Sequence, residues 1–239
     1  MPVLQPFVPT TSDIDMSRLA RLHEVLHEQH IDAIALSAGP TLTWLTGAPF
    51  EAHERLFLVI VPYNSVPVVL LPAIEVDRWN ATVSFECEVV SWDDAHGYEA
   101  ALAQTSRRLP PPRTVAIEHG IMRVFEYEAA KRICPTARVA DAKPLVRALR
   151  GRKDEHGIAA TRRAVEITEG ALGACADEVH PGVTERSVAA RLTALLLEGG
   201  GETIPFGPVV LSGPRTALPH GNVSDRVIEP GDFLLIDCG

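Results

Sequence analysis

Leucines at 19, 22 and 26 recur at helical spacing, with Glu24 and Glu28 on the opposite side. This predicts a helix from about Met16 to His30, with Asp13 or Asp15 as its N-cap. Ile31 to Leu36 then reads as a short buried strand. Phe57 to Val61 and Val66 to Leu71 read as two more strands, joined by the turn Pro62-Tyr63-Asn64-Ser65. A helix over Tyr98 to Leu109 must stop at Pro110-Pro111-Pro112, because proline has no amide hydrogen to continue the ladder. Thr114 to Ile117 is a further strand, and a helix runs through Glu126 to Ile133. Strands alternating with helices predict an α/β domain.

The pattern changes after Asp141. A charged junction, Asp141 to Lys153, gives way to a long helix from Asp154 to about Val179. Ile158, Val165, Leu172 and Val179 recur every seven residues along one face of it. Pro181-Gly182 breaks the chain, and Thr184 caps the next helix with Glu185 in the first turn, facing the positive end of the dipole. Val188, Leu192 and Leu195 form that helix's stripe, and Gly199-Gly200-Gly201 ends it. Beyond it lie a strand over Pro208 to Leu211, a loop centred on His220 and a strand over Phe233 to Asp237. Two domains follow from this order: 1–143, and 144–239.

Composition narrows the function classes. A hydrophobic share of 46% is enough to fill cores, and a net charge of -9 makes nucleic acid or an anionic membrane an unexpected partner. The basic run from Arg147 to Lys153 is read as a solvated helix end or linker. Cys87, Cys134, Cys175 and Cys238 are widely spaced with no CxxC pair, so reduced thiols in a cytoplasmic protein are expected. Met1-Pro2-Val3-Leu4-Gln5-Pro6 lacks the basic start and apolar stretch of a signal peptide, and Leu56 to Val61 is too short to cross a bilayer. The sequons at Asn80 and Asn222 therefore carry no expected glycan.

His23-Glu24-Val25-Leu26-His27 fits the zinc pattern HExxH. Two histidines one turn apart can hold a zinc ion, with the glutamate as base on its water. A third ligand is still needed, and His30 follows too soon to supply it from another element. The match is read as accidental, on a helix that merely carries histidines beside its leucine stripe.

A different set of residues carries a resemblance. Leu149-Arg150, Lys153-Asp154-Glu155, Arg163-Ala164 and Ile167-Thr168 occur in order, followed by Pro181-Gly182-Val183-Thr184-Glu185. Phe206, Val209 to Gly213, Pro219-His220 and Ile228-Glu229-Pro230-Gly231-Asp232 then lead into Leu234-Leu235-Ile236-Asp237-Cys238-Gly239. Upstream stand Trp44-Leu45-Thr46-Gly47 and Ala116-Ile117-Glu118. Together these resemble the creatinase/aminopeptidase P/prolidase family of "pita-bread" metallopeptidases, from about Arg18 onward. Gly157 departs from the family, which usually has glutamate there, and weakens only the helix start.

The resemblance implies an α/β creatinase-like N-terminal domain followed by an incomplete α+β pita-bread catalytic domain. It implies an Xaa-Pro peptidase, of prolidase or aminopeptidase P type, cutting before proline with two divalent ions (Mn, Co or Zn) that share a hydroxide. Asp237 takes the place of the first metal ligand, against the plainer reading of a strand-end aspartate that caps a turn through Gly239. His220 takes the place of the histidine that contacts the scissile carbonyl. The second aspartate, the metal-binding histidine and both glutamates would lie beyond Gly239. A C-terminally truncated chain, with no metal bound by this fragment, is therefore expected. The resemblance also implies a proline-containing peptide substrate and a homodimer. Two alternatives stay open: a metal-free creatinase-like amidinohydrolase, and a non-catalytic peptide- or partner-binding protein.

Overall fold

The computed structural model describes residues 12–51 and 53–239, with side chains from Met16 onward. It divides into two compact units, the first ending at Arg152 and the second running over Lys153–Gly239.

The first unit is built on β1 (Ala33–Leu36), β2 (Leu58–Pro62), β3 (Val68–Pro72), β4 (Glu88–Trp92), β5 (Thr114–Ile117) and β6 (Arg138–Asp141). They form one sheet in the order β4-β3-β2-β1-β5-β6. The β1/β2 and β2/β3 pairs are antiparallel, and β3/β4, β1/β5 and β5/β6 are parallel. The central strands are buried on both faces, so they read as unbroken apolar runs rather than as alternation. The pleat still sorts their side chains. Ile34, Leu36, Val59, Val61, Val69 and Leu71 enter one core, while Ala33, Ala35, Leu58, Ile60, Val68 and Leu70 enter the other.

Helices close both faces. α1 (Ser12–Glu28), α2 (Pro40–Thr46), α3 (Val76–Thr82) and α6 (Lys143–Arg150) pack into the first core through residues such as Leu22, Leu45, Trp79 and Leu149. α4 (Glu99–Arg108) and α5 (Val124–Ile133) pack into the second through Leu102, Ala129 and Ile133. The result is a three-layer α/β/α sandwich.

Several expectations shift here. The first helix already begins at Ser12, so Asp13 and Asp15 lie within it rather than ahead of it. Their side chains, and the N-terminal segment Met1 to Pro6, lie outside the described residues. The basic run from Arg147 is a solvated helix end rather than a linker. The apolar residues Leu145 and Leu149 of the charged junction turn that stretch into α6 and bury it in the first unit. An eight-residue helix this rich in basic side chains still folds because one face meets a waiting core. The division between the two compact units falls after α6, at Arg152.

The second unit contains α7 (Glu155–Glu178), α8 (Glu185–Glu198), β7 (Val209–Ser212) and β8 (Leu234–Asp237). Asp154 caps α7 by accepting from the Gly157 amide at 2.6 Å. The seven-residue stripe is not what α7 buries. Ile158, Val165 and Leu172 are exposed, and Ala171 and Cys175, helped by Ile167, face α8 instead. Small residues win that face because they let two helices approach closely, while heptad spacing alone leaves the buried side undecided. On α8 the expected stripe does face inward, through Val188, Leu192 and the partly buried Leu195. Thr184 and Ser187 exchange bonds at 3.1 Å in a reciprocal cap. Among the described residues no helix is long and apolar enough to cross a membrane.

Candidate active site

β7 and β8 form an antiparallel pair with Val209 opposite Asp237, Val210 opposite Ile236, Leu211 opposite Leu235 and Ser212 opposite Leu234. The pleat therefore separates two faces. Val210, Leu234 and Ile236 lie on the face that packs with α7 and α8. Leu211, Leu235 and Asp237 share the other face. Asp237 itself is exposed there.

The loop carrying His220 packs over Leu211 on this second face. After β7 the chain makes a 3-10 turn over Gly213–Ala217 and reaches Pro219-His220 as an exposed turn. Gly221, the next residue, lies so close to the sheet that a Cβ there would come within 2.8 Å of both terminal methyls of Leu211. Leu211 is fully buried beneath the loop. The fold thus brings the His220 segment and Asp237 to one face of the same strand pair. Both expected residues are surface groups, open to a ligand.

The polar frame of this loop is a feature that sequence reasoning missed. Glu185, read as an ordinary first-turn acid, is completely buried and accepts bonds from Ser212, Arg215 and Ser224. Arg226 donates to Ser212 Oγ at 2.7 Å and forms an ion pair with Asp232, in the turn before β8. Gly213 makes room for that pair: its φ is +51°, and a Cβ would stand 2.4 Å from an Asp232 oxygen. The only advance signal was the crowding of Ser212, Arg215, Ser224, Arg226 and Asp232 around two turns, which does not say who meets whom.

Burial alone would push the Glu185 carboxyl up, but bonds from Ser224 and Ser212 hold it net below its ordinary 4.5. The hydrogen bond from Arg226 likewise holds Asp232 below 3.8. Both groups favour the folded state when ionised. Their contribution is complete above the unfolded values and is lost as pH falls through the depressed folded ones. The urea midpoint of the second unit should therefore hold from pH 7 down to about 5 and drop below about pH 4.5. A midpoint that is flat to pH 3.5 would contradict this.

The HExxH helix looks different in three dimensions. Glu24 is paired with Arg21 at 3.0 Å on the exposed side of α1. His23 is half-buried, its Nε2 is without a partner, and burial lowers its pKa. The His27 ring lies 6.0 Å from the Tyr63 ring. Among the described residues no group of three or more His, Cys, Asp or Glu side chains converges to hold a metal. The same observation bears on Asp237. One exposed carboxylate cannot offset the repulsion of two close cations, so a dinuclear site at Asp237 needs further anionic ligands beside it.

The upstream motifs prove to be structural. Gly47 closes α2 in the left-handed conformation at φ 73°, Thr46 bonds back to Leu42 O at 2.9 Å, and Arg18 lies over the Trp44 ring. Glu118, at the end of β5, accepts from Thr41 Oγ1 at 2.7 Å.

A mixed α/β/α unit followed by a helix-backed strand pair is the order of a creatinase-like N-terminal domain and the first part of a pita-bread domain. The Creatinase/Prolidase N-terminal domain family matches residues 18–151, and Metallopeptidase family M24 matches residues 159–239. The chain belongs to this creatinase/prolidase family of M24 peptidases. An uncharacterised peptidase of Staphylococcus aureus is 26% identical over 227 residues, covering 94% of this chain and 62% of the relative. Among solved structures, a recombinant prolidase from Thermococcus sibiricus superposes with a TM-score of 0.84 at 26% identity, over 94% of this chain and 61% of that one. The prolidase of Pyrococcus horikoshii gives 0.76 at 25% identity, over 93% and 60%. The chain thus spans about three fifths of the length of the proteins it matches.

Proposed function

We propose that the whole protein is an Xaa-Pro peptidase, of prolidase or aminopeptidase P type, that hydrolyses the bond before proline. The observation that carries this reading is the sharing of one sheet face by the His220 loop and Asp237, in a chain whose structural relatives are prolidases. In this reading Asp237 is one carboxylate of a larger ligand set for two divalent ions, Mn, Co or Zn. Hard anionic oxygens suit that task, and the remaining ligands come from outside the residues described here. His220 contacts the scissile carbonyl and stabilises the charge that develops on it. The substrate in this reading is a proline-containing peptide. We read the protein further as a cytoplasmic homodimer, in keeping with its negative charge and unpaired cysteines.

The test is a substrate panel of Xaa-Pro dipeptides, longer Xaa-Pro peptides and creatine, with and without added divalent metal. Metal-dependent cleavage of Xaa-Pro bonds is expected, and the dipeptide-to-peptide ratio separates the two peptidase types. His220→Ala should lower kcat by about a hundredfold or more, the loss typical of removing a group that stabilises a developing oxyanion. Hydrolysis of creatine alone, without metal, would overturn the reading, as would peptide binding without any turnover.

A further inference from the structure

Glu185 stands in the first turn of α8 with its side chain closed off from solvent. One oxygen accepts from Ser212 N at 2.8 Å, Ser212 Oγ at 3.0 Å and Arg215 Nε at 3.2 Å. The other accepts from Ser224 N at 3.0 Å, Ser224 Oγ at 2.7 Å and Arg215 Nε at 3.1 Å. These donors lie on either side of His220 in the chain. Ser212 ends β7 before it, and Ser224 follows it. Arg215 adds a strap across the loop by donating to Asn222 O at 2.5 Å.

A second arm starts at the same serine. Ser212 Oγ also accepts from Arg226, whose guanidinium reaches Asp232 at 2.5 and 3.2 Å. Asp232 accepts in addition from Glu229 N at 2.9 Å, which closes the turn that launches β8 and Asp237.

Helix initiation does not explain this burial. Thr184 and Ser187 already cap α8, and a first-turn acid gains its dipole stabilisation while remaining in water. A fully buried carboxylate is costly unless several donors meet it. Here every donor in the ring belongs to the segment from the last residue of β7 to Ser224. We propose that Glu185 is a positioning residue: through Ser212, Arg226 and Asp232 it holds the His220 loop and the strand bearing Asp237 in one fixed relation. The proposal deepens the functional reading above and rests on it for the roles of His220 and Asp237.

Hydrogen exchange on the protein and on Glu185→Gln provides the test, because glutamine keeps the shape but turns an amide group toward donors. Exchange should become about tenfold faster or more across residues 213–224 and also across 232–237, while α7 and α8 amides keep their protection. The ring resonances of labelled His220 should shift in Glu185→Gln and return toward the original position in Glu185→Asp. Unchanged exchange, a uniform rise through the second unit, or a rise confined to 213–224 would overturn the proposal. Arg226→Met covers the case in which Glu185→Gln does not fold. It spares every bond of Glu185, so 232–237 should loosen while 213–217 stays protected; protection retained in 232–237 would refute the link. The catalytic reading fails separately. Full peptidase activity in His220→Ala, alongside a loosened loop in Glu185→Gln, removes the catalytic role and leaves the network standing.

Discussion

Trp79→Ala should destabilise the first unit by about 3–5 kcal/mol, as expected when a large aromatic side chain leaves a closed core. Trp79 is almost wholly buried on α3. Its ring meets Phe50 at 5.1 Å, Phe57 at 6.0 Å and Phe85 edge-on at 6.4 Å. Its Nε1 donates to Cys87 Sγ at 3.3 Å. Alanine leaves three aromatic rings facing a void and strips the thiol of its donor. Trp79→Phe keeps most of the volume and should recover more than half of the loss. Burial pushes the Cys87 thiol above its ordinary value, which makes it a poor nucleophile. Urea unfolding measures the energy, and faster reaction of Cys87 with a thiol reagent in Trp79→Ala reports the opened core. A loss below about 1 kcal/mol would mean that the cluster contributes little beyond filling space.

The second large effect concerns a buried charge. Glu126 on α5 has no accessible side-chain surface, and Arg123 meets both of its oxygens at 3.0 Å through Nε. The same guanidinium donates to the backbone carbonyls of His53 and Arg55, tying the segment before β2 to α5. Arg123→Ala leaves the carboxylate buried without this partner and should cost about 2–4 kcal/mol, below the range for fully enclosed pairs because Arg123 is half exposed. Arg123→Met combined with Glu126→Leu should recover most of that, since neither charge is then stranded. A double-mutant cycle by urea denaturation checks both statements. Equal losses in the single and double variants would show that the pair acts only through packing.

Much of the first unit was legible in the residues. The central strands announce themselves as apolar runs bounded by turn residues, and Pro110-Pro111-Pro112 stops α4 for a covalent reason. The cap at Thr184 is local chemistry and appears where expected, and α7 starts beside Asp154 as its pattern predicts. What escaped notice depended on partners. β4 and β6 are edge strands with only partial burial, so their patterns are weak. α6 passes for a charged linker until a core is placed beneath Leu145 and Leu149. Which face of α7 is buried was not legible, because Ile158, Val165 and Leu172 and the buried pair Ala171 and Cys175 satisfy helical spacing equally well.

The site divides in the same way. The order of motifs from Trp44 to Asp237 was enough to place the chain among the creatinase/prolidase peptidases, and to name His220 and Asp237 as the residues to watch. Order along a chain says nothing about facing. That the His220 loop and Asp237 lie on one side of β7 and β8 follows from the strand register and from Gly221 closing on Leu211. Glu185 is the sharpest case. As a letter it is a first-turn acid of α8; only the fold buries it and surrounds it with Ser212, Arg215 and Ser224. Propensity, capping and chain breaks act over a few residues, and the sequence by itself determines them. The burial of a charge, and the meeting of one carboxylate with donors up to 39 residues from it, are decided by the tertiary structure, because only packing removes the water that would otherwise satisfy each group alone.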